Sequence, residues 1–236
     1  MIKRGIFLRP PVLVINYKNY KQAYGERGLK IAEYARRISE REDIEIIVAP
    51  PFTEIRDILK IGAYVYAQYA DPLGYGAYTG SIPLEALRDI GVRGVIINHS
   101  EKKVDLRFIN NVIEMSRKLG LETLVCAENN TVAKMISVLK PDAIALEPPE
   151  LIGSGKAVSK VRPEIITEGV EIIKKIDRDI KVLAGAGITN YEDVSKAVEL
   201  GSEGVLVASA IMLAEDPEKI IYEMTSALKK SWEKKQ

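Results

Sequence analysis

Along this chain eight short apolar runs alternate with eight longer helix-compatible stretches, and that alternation constrains the fold more than any other feature. The runs are "VLVIN", "EIIVAP", "AYVYAQ", "GVIIN", "ETLVC", "AIALE", "KVLAG" and "GVLVA", most of them stopping at a polar residue, glycine or proline. They are nearly continuous in Val, Ile, Leu and Ala, the pattern of parallel strands buried on both faces. Between and after them lie segments such as "RGLKIAEYARRISE" and "VDLRFINNVIEMSRKLG". Pro83, Pro141 and Pro217 mark helix boundaries, Gly120 and Gly201 fit C-terminal caps, and Asn190 or Thr131 fits an N-cap. Strand-helix alternation repeated eight times predicts an α/β fold, a single-domain (β/α)8 barrel over residues 1–236. A doubly wound open sheet fits less well, because the first turn, "NYKNYKQAYG", lacks the G-x-G-x-x-G of that fold. At 236 residues and 47% apolar composition the chain can bury one large core.

Several function classes drop out on composition. No stretch approaches the twenty or so apolar residues of a membrane span, and the first residues do not read as a secretory signal, so a cytoplasmic protein without membrane contact is expected. One cysteine, Cys126, and one histidine exclude an intramolecular disulfide and a Cys/His metal cage of the usual kind; no metal and no cofactor are expected. Thirty-four basic residues nearly cancel thirty-three acidic ones, and the basic tail "LKKSWEKKQ" reads as a solvated helix end, so no nucleic-acid partner is expected.

In a barrel of this kind the chemistry stands at the C-terminal ends of the strands. There the first run ends in Asn16 and Lys18, the fourth in Asn98 and His99 with Glu101 close behind, and the sixth in Glu147. The seventh and eighth end in "GAGI" and "ASA". Taken singly, each has an ordinary explanation: a surface lysine, a turn asparagine, a satisfied histidine, a capping carboxylate. Taken together on one face they supply a carboxylate to move a proton from carbon, a donor to polarise a carbonyl, and a fixed cation. Gly185, Gly187, Ala208 and Ser209 follow strands seven and eight, where small side chains expose backbone N–H groups to a phosphate. After Glu147 the stretch "PPELIGSG" joins two stiff prolines to two glycines, the composition of a hinged lid over the carboxylate.

Read in order, "INYK", "GAYTG", "NHSE", "EPPELIGSG", "GAGI" and "GVLVASA" resemble the triosephosphate isomerase family, particularly its short archaeal branch, over essentially the whole chain. The resemblance implies interconversion of dihydroxyacetone phosphate and glyceraldehyde 3-phosphate, in glycolysis and gluconeogenesis, with no metal or organic cofactor. It makes Glu147 the proton-shuttling base, His99 the electrophile, Lys18 the electrostatic residue, Asn16 its substrate-orienting neighbour and Glu101 a support near the lysine. Backbone amides around Ile152 and Gly153 at the lid tip, with Gly187, Ala208 and Ser209, take the phosphate-binding positions. That division of labour between carboxylate, neutral imidazole and closing loop is the family's known one. "GYGAYTGS" matches the family's third loop, which reaches into a neighbouring subunit, with Thr79 near the partner's lysine. A homo-oligomer is implied, at least a dimer, and a homotetramer after the short archaeal members.

The match has departures. Asn98 stands where a glycine commonly precedes the histidine, "AGAGI" and "ASA" lack the usual glycine pairs, and Glu128 is displaced from the family's acid after the cysteine. Two other readings remain open on sequence: an aldolase using Lys18 as Schiff-base nucleophile, and a silent phosphometabolite binder.

Overall fold

The computed structural model describes residues 8–151 and 158–235. Eight parallel strands close into a barrel in sequence order. They are β1 (Val12–Asn16), β2 (Glu45–Ala49), β3 (Tyr64–Ala67), β4 (Gly94–Ile97), β5 (Glu122–Ala127), β6 (Ala143–Leu146), β7 (Lys181–Ala184) and β8 (Gly204–Val207). Closure comes from β1 pairing with β8, Val12 opposite Gly204 through Ile15 opposite Val207. A side chain at Gly204 would meet the Val12 carbonyl oxygen at 2.3 Å, so glycine is required where the ring is sealed.

The helices around the ring are α1 (Gly25–Glu42), α2 (Ile55–Ile61), α3 (Leu84–Asp89), α4 (Leu106–Leu119), α5 (Asn130–Val138), α6 (Val158–Val161), α7 (Pro163–Ile176), α8 (Tyr191–Glu199), α9 (Ser209–Met212) and α10 (Pro217–Glu233). Their caps follow the sequence in most places. Gly120 ends α4 in the left-handed conformation, φ 73°, and the Asn190 side chain accepts the Asp193 N–H at the start of α8. The expected cap at Thr131 is Asn129 instead, whose carboxamide oxygen accepts the Val132 N–H at 2.9 Å; Thr131 is already inside the first turn of α5. At the other end of that choice, Asn129 has the extended backbone a cap needs, φ −161°.

Strand periodicity divides the core in two. Val12, Val14, Ile47, Ala49, Tyr66, Ile96, Leu124, Cys126, Ala143, Ala145, Leu183 and Leu206 fill the barrel interior, while their neighbours Leu13, Ile15, Ile46, Val48, Ile97, Val125 and Ile144 face the helix ring. Buried charge is concentrated at the N-terminal mouth. Arg93 pairs there with Glu45 at 2.5 Å and Glu122 at 2.9 Å, and the Tyr66 hydroxyl donates to Glu122 at 2.7 Å. Burial nevertheless raises the Glu122 carboxyl to about 7, against the opposing pull of Arg93. No helix among the described residues is long and apolar enough to cross a membrane. The tail is α10 and its exit, where Trp232 packs against the core and Lys235 lies over its ring.

Candidate active site

Period-two alternation aims most of the site. Counting on from the interior residues of each strand, Asn16 follows Val14, Glu147 follows Ala145, Gly185 follows Leu183 and Ala208 follows Leu206, so all four continue the inward row at the C-terminal mouth. His99 has the wrong parity, since Val95 and Ile97 belong to the outer layer. The break is at Asn98, whose φ of 61° turns the chain and brings His99 back over the mouth. Lys18 also has a positive φ, 48°. Strain of that kind in a non-glycine residue persists where the surroundings enforce it.

The groups converge. Glu147 is 3% exposed and its Oε1 lies 3.7 Å from His99 Nε2. His99 Nδ1 accepts the Glu101 backbone N–H at 3.2 Å, so the proton of the neutral ring resides on Nε2 and points toward Glu147. Lys18 Nζ donates to Glu101 Oε1 at 2.7 Å, and the Lys18 N–H is held by Asn16 Oδ1 at 3.0 Å. A cavity of about 310 Å³ joins Asn16, Lys18, His99 and Glu147 to Gly187, Ala208 and Ser209.

Electrostatics separate the acid from the imidazole. Burial raises the Glu147 carboxyl to about 7, with the Cys126 thiol alongside and the Lys18 charge offsetting part of the effect. Burial, then the Lys18 charge, pulls His99 down to about 4, against the attraction of Glu101. Near neutrality the ring is an uncharged donor beside a carboxylate that can both take and return a proton. Gly185 makes room for that carboxylate: a Cβ there would meet Glu147 Cγ at 2.5 Å.

At the other end of the cavity Gly187 has φ 69°, and Ser209 opens the short helix α9 directly after Ala208. Ile152 and Gly153, expected at the lid tip, lie outside the described residues. Thr79 is exposed, in a loop whose Tyr75 N–H and hydroxyl are tied to Glu85 and Asp89. Glu128, away from its usual family spacing, pairs with Lys103.

Three residues of the site had no role assigned to them from the sequence. Gln68 Nε2 donates at 2.9 Å to both the Lys18 and Ala49 carbonyls; the signal was available, because Gln68 continues the inward row after Tyr66. Cys126 lies against Glu147, and burial together with that carboxylate holds its thiol well above the usual range. The Asn98 carboxamide makes two bonds that its place in the sequence does not announce.

The model of the family described as triosephosphate isomerase matches residues 11–224. A triosephosphate isomerase of Methanocaldococcus jannaschii is 47% identical over 214 residues, 90% of this chain and 98% of its own length. Those of Sulfurisphaera tokodaii and Caldivirga maquilingensis are 46% and 45% identical, over 91% and 94% of this chain and 93% and 99% of theirs. With an eight-stranded closed barrel, a buried carboxylate facing a neutral imidazole at its C-terminal mouth, and a family match over residues 11–224, the chain belongs to the triosephosphate isomerase family.

Proposed function

We infer that this chain interconverts dihydroxyacetone phosphate and D-glyceraldehyde 3-phosphate, and that a single barrel domain of residues 1–236 carries the reaction. The observation that supports this best is the Glu147 carboxylate, buried and 3.7 Å from Nε2 of a neutral His99, with the Lys18 cation lining the same cavity. Glu147 removes a proton from C1 of the ketone; the C–H electron pair forms the C1=C2 bond and the carbonyl π pair moves to O2. His99 Nε2–H and Lys18 Nζ meet the charge on that oxygen. His99 Nε2 gives its proton to O2 and takes back the one from O1, and Glu147 returns its proton to C2, leaving the aldehyde at C1. Asn16 orients Lys18 and substrate, and Glu101 serves both neighbours, by its side chain to Lys18 and its N–H to His99.

The phosphate is held by backbone amides at Gly187, Ala208 and Ser209, with Ile152 and Gly153 closing over it. The proton moves to a carboxylate and the charge to protein donors, so the reaction as drawn uses neither metal nor organic cofactor. A Schiff-base role for Lys18 is disfavoured by its 2.7 Å ion pair with Glu101, which occupies the amine.

The working form is a cytoplasmic homo-oligomer. Tyr75 and Tyr78, 63% and 48% exposed beside Thr79, support a dimer contact through this loop; Met135 and Val138, 50% and 63% exposed on α5, support a second contact that makes a homotetramer. The catalytic reading is tested by a coupled assay of purified protein with dihydroxyacetone phosphate. Glu147→Gln is expected to lower kcat about 100- to 10,000-fold while binding of a phosphate ligand persists. Comparable turnover in that variant, or none in the folded wild type, refutes it.

A further inference from the structure

Asn98 immediately precedes His99, and its carboxamide is bonded at both ends. Nδ2 donates to the Cys126 carbonyl of β5 at 3.0 Å, and Oδ1 accepts the Val104 N–H at 3.1 Å. Only one orientation of the carboxamide serves both partners, because a carbonyl can only accept and an N–H can only donate. One side chain therefore spans the end of β5 and the far end of the loop that carries His99 and Glu101.

That loop has little regular structure to hold it. Residues 99–105 form a turn and a bend, and α4 begins only at Leu106. The loop's own backbone N–H groups bond from Lys102 to the His99 carbonyl at 2.8 Å, from Glu101 to His99 Nδ1, and from Val104 to Asn98. The left-handed backbone of Asn98 directs His99 inward, and its carboxamide fixes where the loop returns. Between those two anchors sits the Glu101 N–H, the group that keeps a proton off His99 Nδ1.

We propose that Asn98 is a positioning residue for His99: its carboxamide braces the 99–104 loop against β5, so that the Glu101 N–H stays on Nδ1 and the imidazole is held as its neutral Nε2–H tautomer. Glycine at this position would reproduce the backbone turn and lose the brace. Aspartate would keep the acceptor for Val104 and lose the donor to Cys126, placing a carboxylate oxygen against a carbonyl. Asn98 itself makes no contact with the reacting atoms in this scheme, which rests on the functional reading above.

The chain has a single histidine, so 15N-histidine labelling yields one pair of ring-nitrogen signals that report the tautomer directly. The wild type is expected to show protonated Nε2 and bare Nδ1 at pH 7. In Asn98→Gly, which relieves the positive φ and so separates backbone from brace, the signals are expected to move toward a tautomer mixture, with kcat lowered about tenfold and KM changed less than threefold. Asn98→Asp is expected to lie on the same side of wild type, and it carries the test if the glycine variant does not fold. A folded Asn98→Gly or Asn98→Asp protein with the wild-type tautomer pattern and kcat within twofold overturns the proposal. Failure of the functional reading is distinguishable: the wild type would then lack isomerase turnover, while the spectra would still show whether the tautomer depends on Asn98.

Discussion

Glu147 and His99 are neighbours whose ionisation is pushed in opposite senses by the same cause. Burial disfavours charge, which raises an acid and lowers a base, and here it brings the carboxyl to about 7 and the imidazole to about 4. The rate should follow the acid alone. We expect kcat/KM of the wild type to rise with pH through about 7 as Glu147 ionises, with no second limb from His99 between pH 5 and 9; a break near the ordinary carboxylate range would refute the burial of the base. The same shift affects stability. A carboxyl raised in the folded state contributes fully below the unfolded value and loses that contribution as pH rises through about 7. Glu147→Gln is therefore expected to melt several degrees above wild type at pH 8 and close to it at pH 4.5, measured by calorimetry on matched oligomers.

At the scale of the element, a strand contributes direction more than chemistry. Each residue two places beyond an interior side chain faces the mouth, which is why Asn16, Gln68, Glu147 and Gly185 meet although four different strands deliver them. Gly185 at the exit of β7 tests that geometry. A Cβ there would contact Glu147 Cγ at 2.5 Å, and the yielding group would be the base itself. Gly185→Ala is expected to lower kcat about 10- to 100-fold with little change in melting temperature, since a misplaced catalytic group costs rate before it costs packing. Unaltered turnover would mean that Glu147 reaches substrate from a displaced position. The elements also show where pattern reading falters: Thr131 and Asn129 both carry capping side chains two residues apart, and only the extended backbone at Asn129 decides between them.

The whole molecule divides its labour between two ends. The N-terminal mouth buries the Arg93, Glu45, Glu122 and Tyr66 cluster, which fixes strand ends; the C-terminal mouth keeps a cavity open to substrate. A third surface, the loop bearing Tyr75, Tyr78 and Thr79, is exposed in the single chain. If it completes a neighbour's site, association and turnover fall together. Thr79→Arg is expected to shift sedimentation toward dissociated chains and to reduce kcat/KM about tenfold or more, because in the proposed dimer it would set a new cation in the subunit contact. Wild-type association and activity in that variant would place the subunit contact elsewhere.

Local pattern and composition alone determined that this chain builds eight strands and their helices, because the hydrophobic period changes from two to about 3.6 at each junction and buried parallel strands need a nearly unbroken apolar run. Their position just after the apolar runs made Asn16, Glu147, Gly187 and Ala208 legible as residues of one mouth, and the motif order carried the family. What only the tertiary structure decided was everything that depends on contacts across the ring. Glu147 titrates near 7 because interior residues of other strands exclude water around it, which no stretch of sequence expresses. His99 faces inward because Asn98 breaks the alternation, and its tautomer follows from a backbone N–H two residues on. Gln68 and Cys126 acquired their places in the site by pairing of consecutive strands, which brings Gln68 back to the carbonyls of Ala49 and Lys18 and sets Cys126 of β5 against β6 and Glu147.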